Sequence, residues 1–313
     1  YSMKDLEHDM AKGFVSLRAE QVFSASVPLP NGKAKQRIVD QYMSDYFESA
    51  CHIHTGSDPI SEKDADSRED ASEWSAAKWC EINGLLDLDC WTYRKKSKKH
   101  DDPIERKRKL YKGKFVFKEK SPANGQPGRK KARYVISDPK FLQKLSDVDC
   151  FSPMCRFETV RFLLSVAVER DWELISTDIK NAFPTSKLPE PVWMGIPKCI
   201  VEEKNEDGSL KNPDLKDCYA WVSGALYGLA HSPRCFSKHL DKWFRSKGYE
   251  PLDADSCLYV KYDEHGKVRA AAATFVDDAL VAGDEQSIAE YRAMLKEDFT
   301  CSDLGMPSDF LGM

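Results

Sequence analysis

Hydrophobic and polar positions fall into a clear pattern only after the first 70 residues. Residues 72–86 carry apolar side chains at helical spacing after a serine, which predicts a helix. Two β-rich runs, 115–118 and 132–136, are separated by a stretch dense in Gly, Pro and Asn, which predicts a hairpin with a long loop. Residues 1–70 are polar and acidic with weak periodicity, so we expect a loosely ordered leader with a helix near 38–47.

The second half of the chain alternates helices with short strands, and we see no internal repeat in it. This order predicts an α+β fold in which helices cover one mostly antiparallel sheet. The domains expected are the leader, a first subdomain over 71–150 and a second over 151–313. The predicted elements are a helix at 157–168, strands at 172–178, 192–194 and 219–222, a helix at 233–247, a strand at 257–262, a hairpin at 268–276 and 279–283, and a helix at 286–299.

Composition argues against membrane and secreted proteins. No apolar stretch approaches the roughly 20 residues of a membrane span, and the N-terminal sequence shows no signal-peptide pattern. Tyr1 suggests a piece of a longer polypeptide. The ten cysteines are scattered without a Cys-x-x-Cys pair, so we expect reduced thiols in an intracellular protein. A Cys-His-Ile-His cluster at 51–54 lacks a second ligand pair, and we expect no zinc there.

Positive charge is concentrated in one stretch. The chain has a formal net charge of −4, yet residues 94–133 hold 17 Lys and Arg against four Asp and Glu, a local +13 that leaves −17 for the rest. Aromatic residues are interleaved with these cations, which favours nucleic-acid binding; a solvated basic loop or a localisation signal are the alternatives. The candidate nucleic-acid-binding residues are Lys95, Lys96, Lys98, Lys99, Arg106, Lys107, Arg108 and Lys109.

Three acids are candidates for catalytic chemistry. Asp277 and Asp278 stand between two apolar β-forming runs, so the chain is expected to turn at them, and burying like charges there is costly unless a cation compensates them. Asp178 ends a separate predicted strand. Together they would suit two Mg²⁺ ions, which prefer oxygen ligands. Taken singly, each acid has a structural alternative to a catalytic role: Asp278 as a turn former and Asp178 as a helix or turn cap.

The motifs around these acids resemble those of reverse transcriptases, the copia retrotransposon branch in particular. The sequence Phe-Val-Asp-Asp at 275–278 resembles the aromatic-x-Asp-Asp box of that family. The likeness covers about 71–313. The other matching motifs lie, in chain order, at 114–118, 131–135, 151–156, 178–183, 226–229 with 232–234, and 303–305 with 310–312.

The resemblance implies a right-hand polymerase fold. The fingers would lie in 71–150 and the palm in 151–313, the palm being an antiparallel sheet backed by helices, with the thumb absent or incomplete. Asp178, Asp277 and Asp278 would be catalytic and would hold two Mg²⁺ ions, with Mn²⁺ as a substitute and the backbone carbonyl of Ile179 as an extra ligand. The implied reaction is attack of a primer 3′-OH on the α-phosphate of a dNTP, with loss of pyrophosphate.

The resemblance also implies a set of substrate-binding residues. Phe183 matches the steric gate against a ribose 2′-OH, with an ordinary core phenylalanine as the alternative. Lys131 and Arg133 match the cations that grip the triphosphate; contact with template phosphate is the alternative. Tyr227 and Gly228 match the segment that lines the nucleotide pocket. The residues that resemble the primer grip are Phe310, Leu311, Gly312 and Met313.

At three places the sequence departs from the family pattern. Pro-Thr-Ser stands at 184–186 where Leu-Asn-Gly is usual. Ala230 and His231 replace Lys and Gln, which removes a cation near the template. Phe275 stands where Tyr is common and keeps the aromatic ring.

The expected function is therefore RNA-directed DNA synthesis by a domain of a copia-like Pol polyprotein. Its implied partners are a template–primer duplex on RNA or DNA, dNTPs, and the integrase and RNase H parts of the same polyprotein, but no membrane. The implied location is a cytoplasmic particle or the nucleus. The alternative is a decayed or co-opted remnant that binds nucleic acid through 94–133. A nucleotidyl cyclase lacks support, since its Gly-Gly-acid-acid-Phe turn is missing.

Overall fold

The computed structural model describes residues 58–120, 128–137 and 150–307. They form two compact units. The five-stranded unit contains the described residues up to 150 together with 183–235, and the six-stranded unit contains 151–182 and 236–307. The α+β prediction is confirmed. The predicted helix near 38–47 and the Cys-His cluster at 51–54 lie outside the described residues.

The described helices and strands are numbered in chain order. The helices are α1 (Glu62–Asp66), α2 (Ala71–Asp87), α3 (Lys96–His100), α4 (Pro103–Lys107), α5 (Phe157–Glu169), α6 (Lys198–Val201), α7 (Ser232–Ser246) and α8 (Glu285–Asp298). The strands are β1 (Trp91–Lys95), β2 (Leu110–Lys120), β3 (Arg129–Ser137), β4 (Glu173–Ile179), β5 (Lys187–Met194), β6 (Cys218–Gly224), β7 (Tyr249–Leu252), β8 (Asp255–Tyr262), β9 (Val268–Phe275), β10 (Asp278–Gly283) and β11 (Cys301–Gly305).

The five-stranded unit is built on a mixed sheet with the strand order β1-β6-β5-β2-β3. Strands β2 and β3 form the predicted antiparallel hairpin, in which Phe115 lies opposite Tyr134. Strands β2 and β5 pair in parallel. Helix α2 supplies Trp74, Ile82 and Leu85 to the buried core of this unit. Because these side chains recur at helical spacing, the same pattern that predicts the helix also forms its buried face.

The prediction of a single sheet after residue 150 is wrong. The predicted strands at 192–194 and 219–222 form parts of β5 and β6, which belong to the five-stranded sheet. Strand β6 pairs there with β1, a strand that the sequence did not predict. Only Trp91 of β1 is buried, while its other four residues are exposed, so β1 shows no alternation of hydrophobic and polar positions.

The six-stranded sheet is antiparallel throughout, in the order β11-β4-β10-β9-β8-β7. Helix α5 covers one face, where Val160 and Leu163 share a buried cluster with Leu280. Helices α7 and α8 cover the other face. There the Phe244 ring stacks on Tyr259 at 4.2 Å between centroids, and the Tyr291 hydroxyl is hydrogen-bonded to Thr177. The sheet is therefore a buried layer between helices.

The predicted helices and the hairpin at 268–283 agree with the structure to within a few residues. Helix α2 begins at Ala71 after Asp70, and not at Ser72. The short strands β7 and β11 were not predicted. All cysteines in the described ranges are free thiols. Within those ranges, no helix combines the length and the apolar character needed to cross a bilayer.

A buried carboxylate fixes the start of helix α5. Asp255, at the first position of β8, accepts hydrogen bonds from the Arg156 N–H at 3.1 Å and the Thr159 hydroxyl at 2.7 Å. Its second oxygen accepts from the Cys257 N–H at 3.0 Å. The first N–H groups of a helix have no partner within it, so this carboxylate acts as a cap supplied from a distant strand.

Replacing this cap should destabilise the six-stranded unit. Asp255→Ala leaves three donors without their acceptor, so we expect the free energy of unfolding to fall by about 2–4 kcal/mol. Asp253→Ala, in the exposed turn two residues earlier, should change it by no more than about 0.5 kcal/mol. Urea denaturation followed by circular dichroism measures both. Equal values for the two variants would contradict the capping role.

Candidate active site

Two of the three predicted catalytic acids lie directly opposite each other. Strands β4 and β10 pair in antiparallel register, with Asp178 opposite Asp278. The Ile179 N–H donates to the Asp277 carbonyl oxygen at 3.0 Å, on one side of this pair. Asp178 and Asp278 thus form a non-hydrogen-bonded pair, the type in which Cα atoms are only about 4.5 Å apart and side chains are closest. The register brings two carboxylates to one face of the sheet.

Asp277 lies at the tip of the hairpin beside them. Phe275 pairs with Asp278, so Val276 and Asp277 form a two-residue turn. The prediction that the chain turns at both acids is therefore half right, because Asp278 is already the first residue of β10. All three acids are partly exposed.

The turn holds Val276 in a strained conformation. Val276 has a φ of +58°, while Asp277 has no positive φ, which is the pattern of a type II′ turn. Glycine is favoured at that first position, and a β-branched residue there is an outlier that costs on the order of 1–3 kcal/mol. Such residues cluster at functional sites, where the surrounding structure fixes them.

The acidic pair belongs to a row of four residues across four strands. Phe275 lies opposite Asp278 on one side, and Ser302 lies opposite Asp178 on the other. Residues paired in this way face the same side of a sheet. Ser302 was missed by the sequence analysis because β11 was not predicted. Within the described parts of the chain, no three His, Cys, Asp or Glu side chains are grouped closely enough to form a metal site by themselves.

Residues predicted to contact the nucleotide meet in the five-stranded unit, around Tyr227. The Phe183 ring lies 4.9 Å from the Tyr227 ring, centroid to centroid, and the Arg133 guanidinium carbon lies 5.1 Å from the same ring. The Tyr227 carbonyl accepts a hydrogen bond from the Ile136 N–H at 2.8 Å. Lys131 precedes Arg133 by two residues on β3 and shares its face of the strand.

Gly228 is required by the close approach of two segments. Its φ is +88°, and a Cβ atom placed there would lie 2.2 Å from the Ile136 carbonyl oxygen. Only glycine combines this backbone conformation with that contact. The contact places Tyr227 against the edge of β3.

A buried carboxylate, Glu81, lies beside the predicted triphosphate-gripping cations. Its Oε1 accepts a hydrogen bond from the Tyr134 N–H at 3.0 Å, at the edge of the sheet. Burial raises the pKa of Glu81, while the Tyr134 N–H and the charges of Lys131 and Arg133 oppose that increase. Nothing in the sequence marks Glu81 as buried, because a glutamate in a helix is usually on the surface.

Residues 184–186, where the sequence departs from the family pattern, lie in a compact turn. Phe183–Thr185 is a short 3₁₀ helix in which Phe183 and Pro184 are buried. The Phe183 carbonyl accepts hydrogen bonds from both the N–H and the hydroxyl of Ser186, at 2.9 and 2.8 Å. Pro184 therefore changes the local backbone while Phe183 stays against Tyr227.

The basic stretch divides into exposed and structural cations. Lys99 is buried, and its ammonium group donates to the carbonyl oxygens of Glu105 at 2.9 Å and Arg108 at 2.6 Å. The prediction that Lys99 binds nucleic acid is wrong, since its donors satisfy the carbonyl end of helix α4. Lys95, Lys98, Arg106, Lys107 and Lys109 are exposed.

Two further cations of this stretch have partners within the unit. The Arg108 guanidinium donates to the Pro191 carbonyl at 2.6 Å, and the Lys96 ammonium donates to the Lys216 carbonyl at 2.6 Å. Aromatic side chains also hold cations in place, because the Arg94 guanidinium carbon lies 4.3 Å from the Trp221 ring. The predicted primer grip at 310–313 lies outside the described residues.

Comparisons with known proteins give one consistent result. A family model described as reverse transcriptase (RNA-dependent DNA polymerase) matches residues 100–313. The chain is 31% identical over 202 residues to the retrovirus-related Pol polyprotein from transposon TNT 1-94 of Nicotiana tabacum, covering 64% of this chain and 14% of that polyprotein. It is 27% identical over 174 residues to the corresponding polyprotein from transposon RE1 of Arabidopsis thaliana, covering 56% and 11%.

A yeast relative is matched over a larger share of its own length. The putative transposon Ty5-1 protein of Saccharomyces cerevisiae is 28% identical over 138 residues, which cover 44% of this chain and 41% of that protein. The matches thus span well under two thirds of each of these relatives.

The close approach at Gly228 can be tested by its effect on stability. Gly228→Ala adds a steric conflict with the Ile136 carbonyl to the cost of a left-handed alanine, and we expect a loss of about 3 kcal/mol or more in the free energy of unfolding. Gly208→Ala, in the same unit, has a φ of +82° but no atom within 4 Å of the added Cβ, so it should lose about 1–2 kcal/mol. Urea denaturation of both variants measures the difference. Equal losses of stability would show that the segment around Gly228 moves to accommodate the methyl group, and would contradict the steric requirement.

Proposed function

Because the chain belongs to the reverse transcriptase (RNA-dependent DNA polymerase) family, we propose that it catalyses template-directed DNA synthesis as part of a copia-type Pol polyprotein. The observation that carries this proposal is the pairing of Asp178 with Asp278, beside Asp277 at the hairpin tip. The palm role falls to the six-stranded unit and the fingers role to the five-stranded unit, which adds 183–235 to the fingers. The template–primer, the dNTPs and the other Pol domains are its proposed partners.

The donor set at the paired acids fits Mg²⁺. Asp178 and Asp278 would supply two of the hard oxygen ligands that this ion prefers, and Asp277 and the Ile179 carbonyl are the further proposed ligands. Mg²⁺ usually binds through one or two carboxylates and completes its shell with water and substrate phosphates, so an all-protein cage is not needed. When bound, two such ions stabilise the attacking and leaving oxygens in an in-line phosphoryl transfer.

The protein contributes charge and position to this reaction. Asp178 and Asp278 are held side by side by the strand register, and their repulsion makes the face of the sheet a site for cations. The strained Val276 fixes the direction in which Asp277 leaves the hairpin. Little covalent chemistry is required of side chains, so orientation and electrostatics supply the rate.

Nucleotide binding is assigned to the residues around Tyr227. Arg133 and Lys131 supply positive charge for the triphosphate, and packing against the Tyr227 ring limits the rotamers of Arg133. Phe183 is held against the same ring, which suits a rigid side chain that rejects a ribose 2′-OH. The alternative for Lys131 and Arg133 is a template phosphate.

We assign binding of the nucleic acid's phosphate backbone to the exposed cations of the basic stretch. Lys99 is excluded from this set, and Arg108 and Lys96 hold intramolecular partners that a phosphate would have to displace. Each exposed cation that meets a phosphate releases a counterion, so the affinity should depend on salt. The residues in this set are Lys95, Lys98, Arg106, Lys107 and Lys109.

Removing one acid should abolish polymerisation without unfolding the protein. Asp277→Asn keeps the size of the side chain and removes its charge, so we expect primer extension on poly(A)/oligo(dT) to fall by about 1000-fold or more, with Mg²⁺ or Mn²⁺. Asp171→Asn is the matched control. Asp171 is exposed, and its φ of +52° is tolerated by asparagine.

The two variants separate catalysis from stability. Circular dichroism should show both folded, and the control should extend primers at the wild-type rate. Extension by Asp277→Asn at that rate would end the catalytic assignment. RNA binding by the wild-type chain without any incorporation, in either metal, would instead favour the remnant that only binds nucleic acid.

The gate role of Phe183 predicts a change in sugar selectivity. Phe183→Ala opens space next to Tyr227, so the ratio of kcat/KM for dNTP over rNTP should fall by at least about tenfold. Phe183→Leu keeps most of the side-chain volume, so the ratio should fall less in that variant. Single-nucleotide incorporation assays with both sugars measure the ratio. A lower overall rate with an unchanged ratio would identify Phe183 as a core residue only.

A further inference from the structure

The five-stranded unit contains a cavity that none of the proposed active-site residues lines. It is open to solvent and has a volume of about 600 Å³, within the range of small-molecule sites in proteins. Helix α2, strand β1, helix α6 and the segment 211–215 contribute its walls. The lining residues that matter for ligand binding are Trp79, Asn83, Tyr93, Glu203, Lys211 and Asn212.

Two large aromatic side chains line this cavity. Trp79 lies on α2 and is partly buried, and Tyr93 lies on β1 with 37% of its surface exposed. An exposed tyrosine beside a partly buried tryptophan offers flat apolar faces to a ligand. Stacking on such a ring suits every nucleic-acid base, because each base has a π-face.

Two amide side chains in the lining are available to a ligand. Neither the Asn83 nor the Asn212 side-chain amide makes a hydrogen bond to another residue of the described parts of the chain. Asn83 is exposed, and Asn212 is half-buried before the 3₁₀ helix Pro213–Asp217, which its side chain does not cap. Each amide offers both donors and an acceptor. That combination suits the edge of an unpaired base, which presents both kinds of group.

Two of the lining residues, Lys211 and Glu203, form an ion pair. The Lys211 ammonium lies 2.8 Å from Glu203 Oε1, and the Lys211 N–H donates to the Glu203 carbonyl at 2.8 Å. Lys211 remains 56% exposed in its side chain. Lys95, two residues after Tyr93 on β1, lies on the same face of the strand and is exposed. Lys95 is placed to meet a phosphate outside the cavity, whereas a phosphate on Lys211 would have to displace Glu203.

We propose that this cavity binds one unpaired base of a single-stranded RNA or DNA, with a flanking phosphate on Lys95. Trp79 and Tyr93 would stack on the base, while Asn83 and Asn212 would contact its edge. The ligand is single-stranded because a base inside a duplex is stacked and paired and cannot enter a side-chain-lined cavity.

This site is separate from the polymerase proposal. No proposed catalytic or nucleotide-binding residue lines it; Trp79, Asn83 and Tyr93 precede residue 100, where the match to the reverse transcriptase family model begins, while the lining residues from 200 to 215 lie inside the matched range. The binding is also independent of metal, so it is measured in EDTA, where polymerisation cannot occur. A catalytically inactive Asp277→Asn chain should bind the single strand as well as the wild type does.

Photo-cross-linking tests the proposal directly. The whole chain is irradiated in EDTA with a short oligouridine that carries one 5-iodouridine, and the cross-linked peptide is identified by mass spectrometry. We expect cross-links at Tyr93 or Trp79. In fluorescence anisotropy, the double variant Asn83→Ala/Asn212→Ala should bind the oligonucleotide about tenfold more weakly, from the loss of two hydrogen bonds.

A matched control uses another asparagine of the same unit. Asn205 is exposed, its amide donates to the Ser209 hydroxyl at 3.0 Å, and it does not line the cavity. Asn205→Ala should leave the affinity unchanged. Circular dichroism shows whether the double variant is folded.

Three results would overturn the proposal. The first is cross-linking confined to peptides that contain neither Tyr93 nor Trp79. The second is a folded double variant that binds as tightly as the control. The third is equal competition by a blunt duplex of the same length, which would assign binding to the backbone cations and leave the cavity for another occupant, such as a protein segment.

Discussion

The structure depends on the register between strands β4 and β10. Side chains alternate between the two faces of a sheet, so a shift of one residue would move Asp178 to the face opposite Asp278. The register is fixed by hydrophobic packing, because Leu280 and Ala282 lie on the same face as Asp278 and are buried beneath helix α5. The core of the six-stranded unit therefore determines where the carboxylates stand. Asp255 adds to this by fixing the start of α5.

The sequence predicted those parts of the fold that have a hydrophobic period. Helices α2 and α5 and the hairpin β9–β10 follow from apolar spacing, and the acids between apolar runs indicated the hairpin tip. The sequence did not predict β1, whose residues are mostly exposed, and for that reason it placed β5 and β6 in the wrong sheet. Pairing partners far apart along the chain leave no local signal.

The residues of the candidate site likewise divide into those that the sequence predicted and those that it missed. Asp178, Asp277 and Asp278 were predicted from the sequence as catalytic candidates, and the structure places Asp178 directly opposite Asp278. Motif resemblance gave Arg133, Phe183, Tyr227 and Gly228, which meet around one ring. Glu81 and Ser302 were missed, because the first depends on burial and the second on strand register. Lys99 was assigned wrongly, since charge alone does not distinguish a cation that caps a helix from one that faces solvent.

Locating the bound divalent metal ions tests the proposed active site most directly. Crystals of the chain with a primer–template, a dNTP and Mn²⁺ would give anomalous scattering peaks that locate the ions without any assumption about the residues. We expect peaks on the face of the sheet shared by Asp178 and Asp278, with carboxylate oxygens as ligands. Peaks only elsewhere, with nucleotide bound, would contradict it.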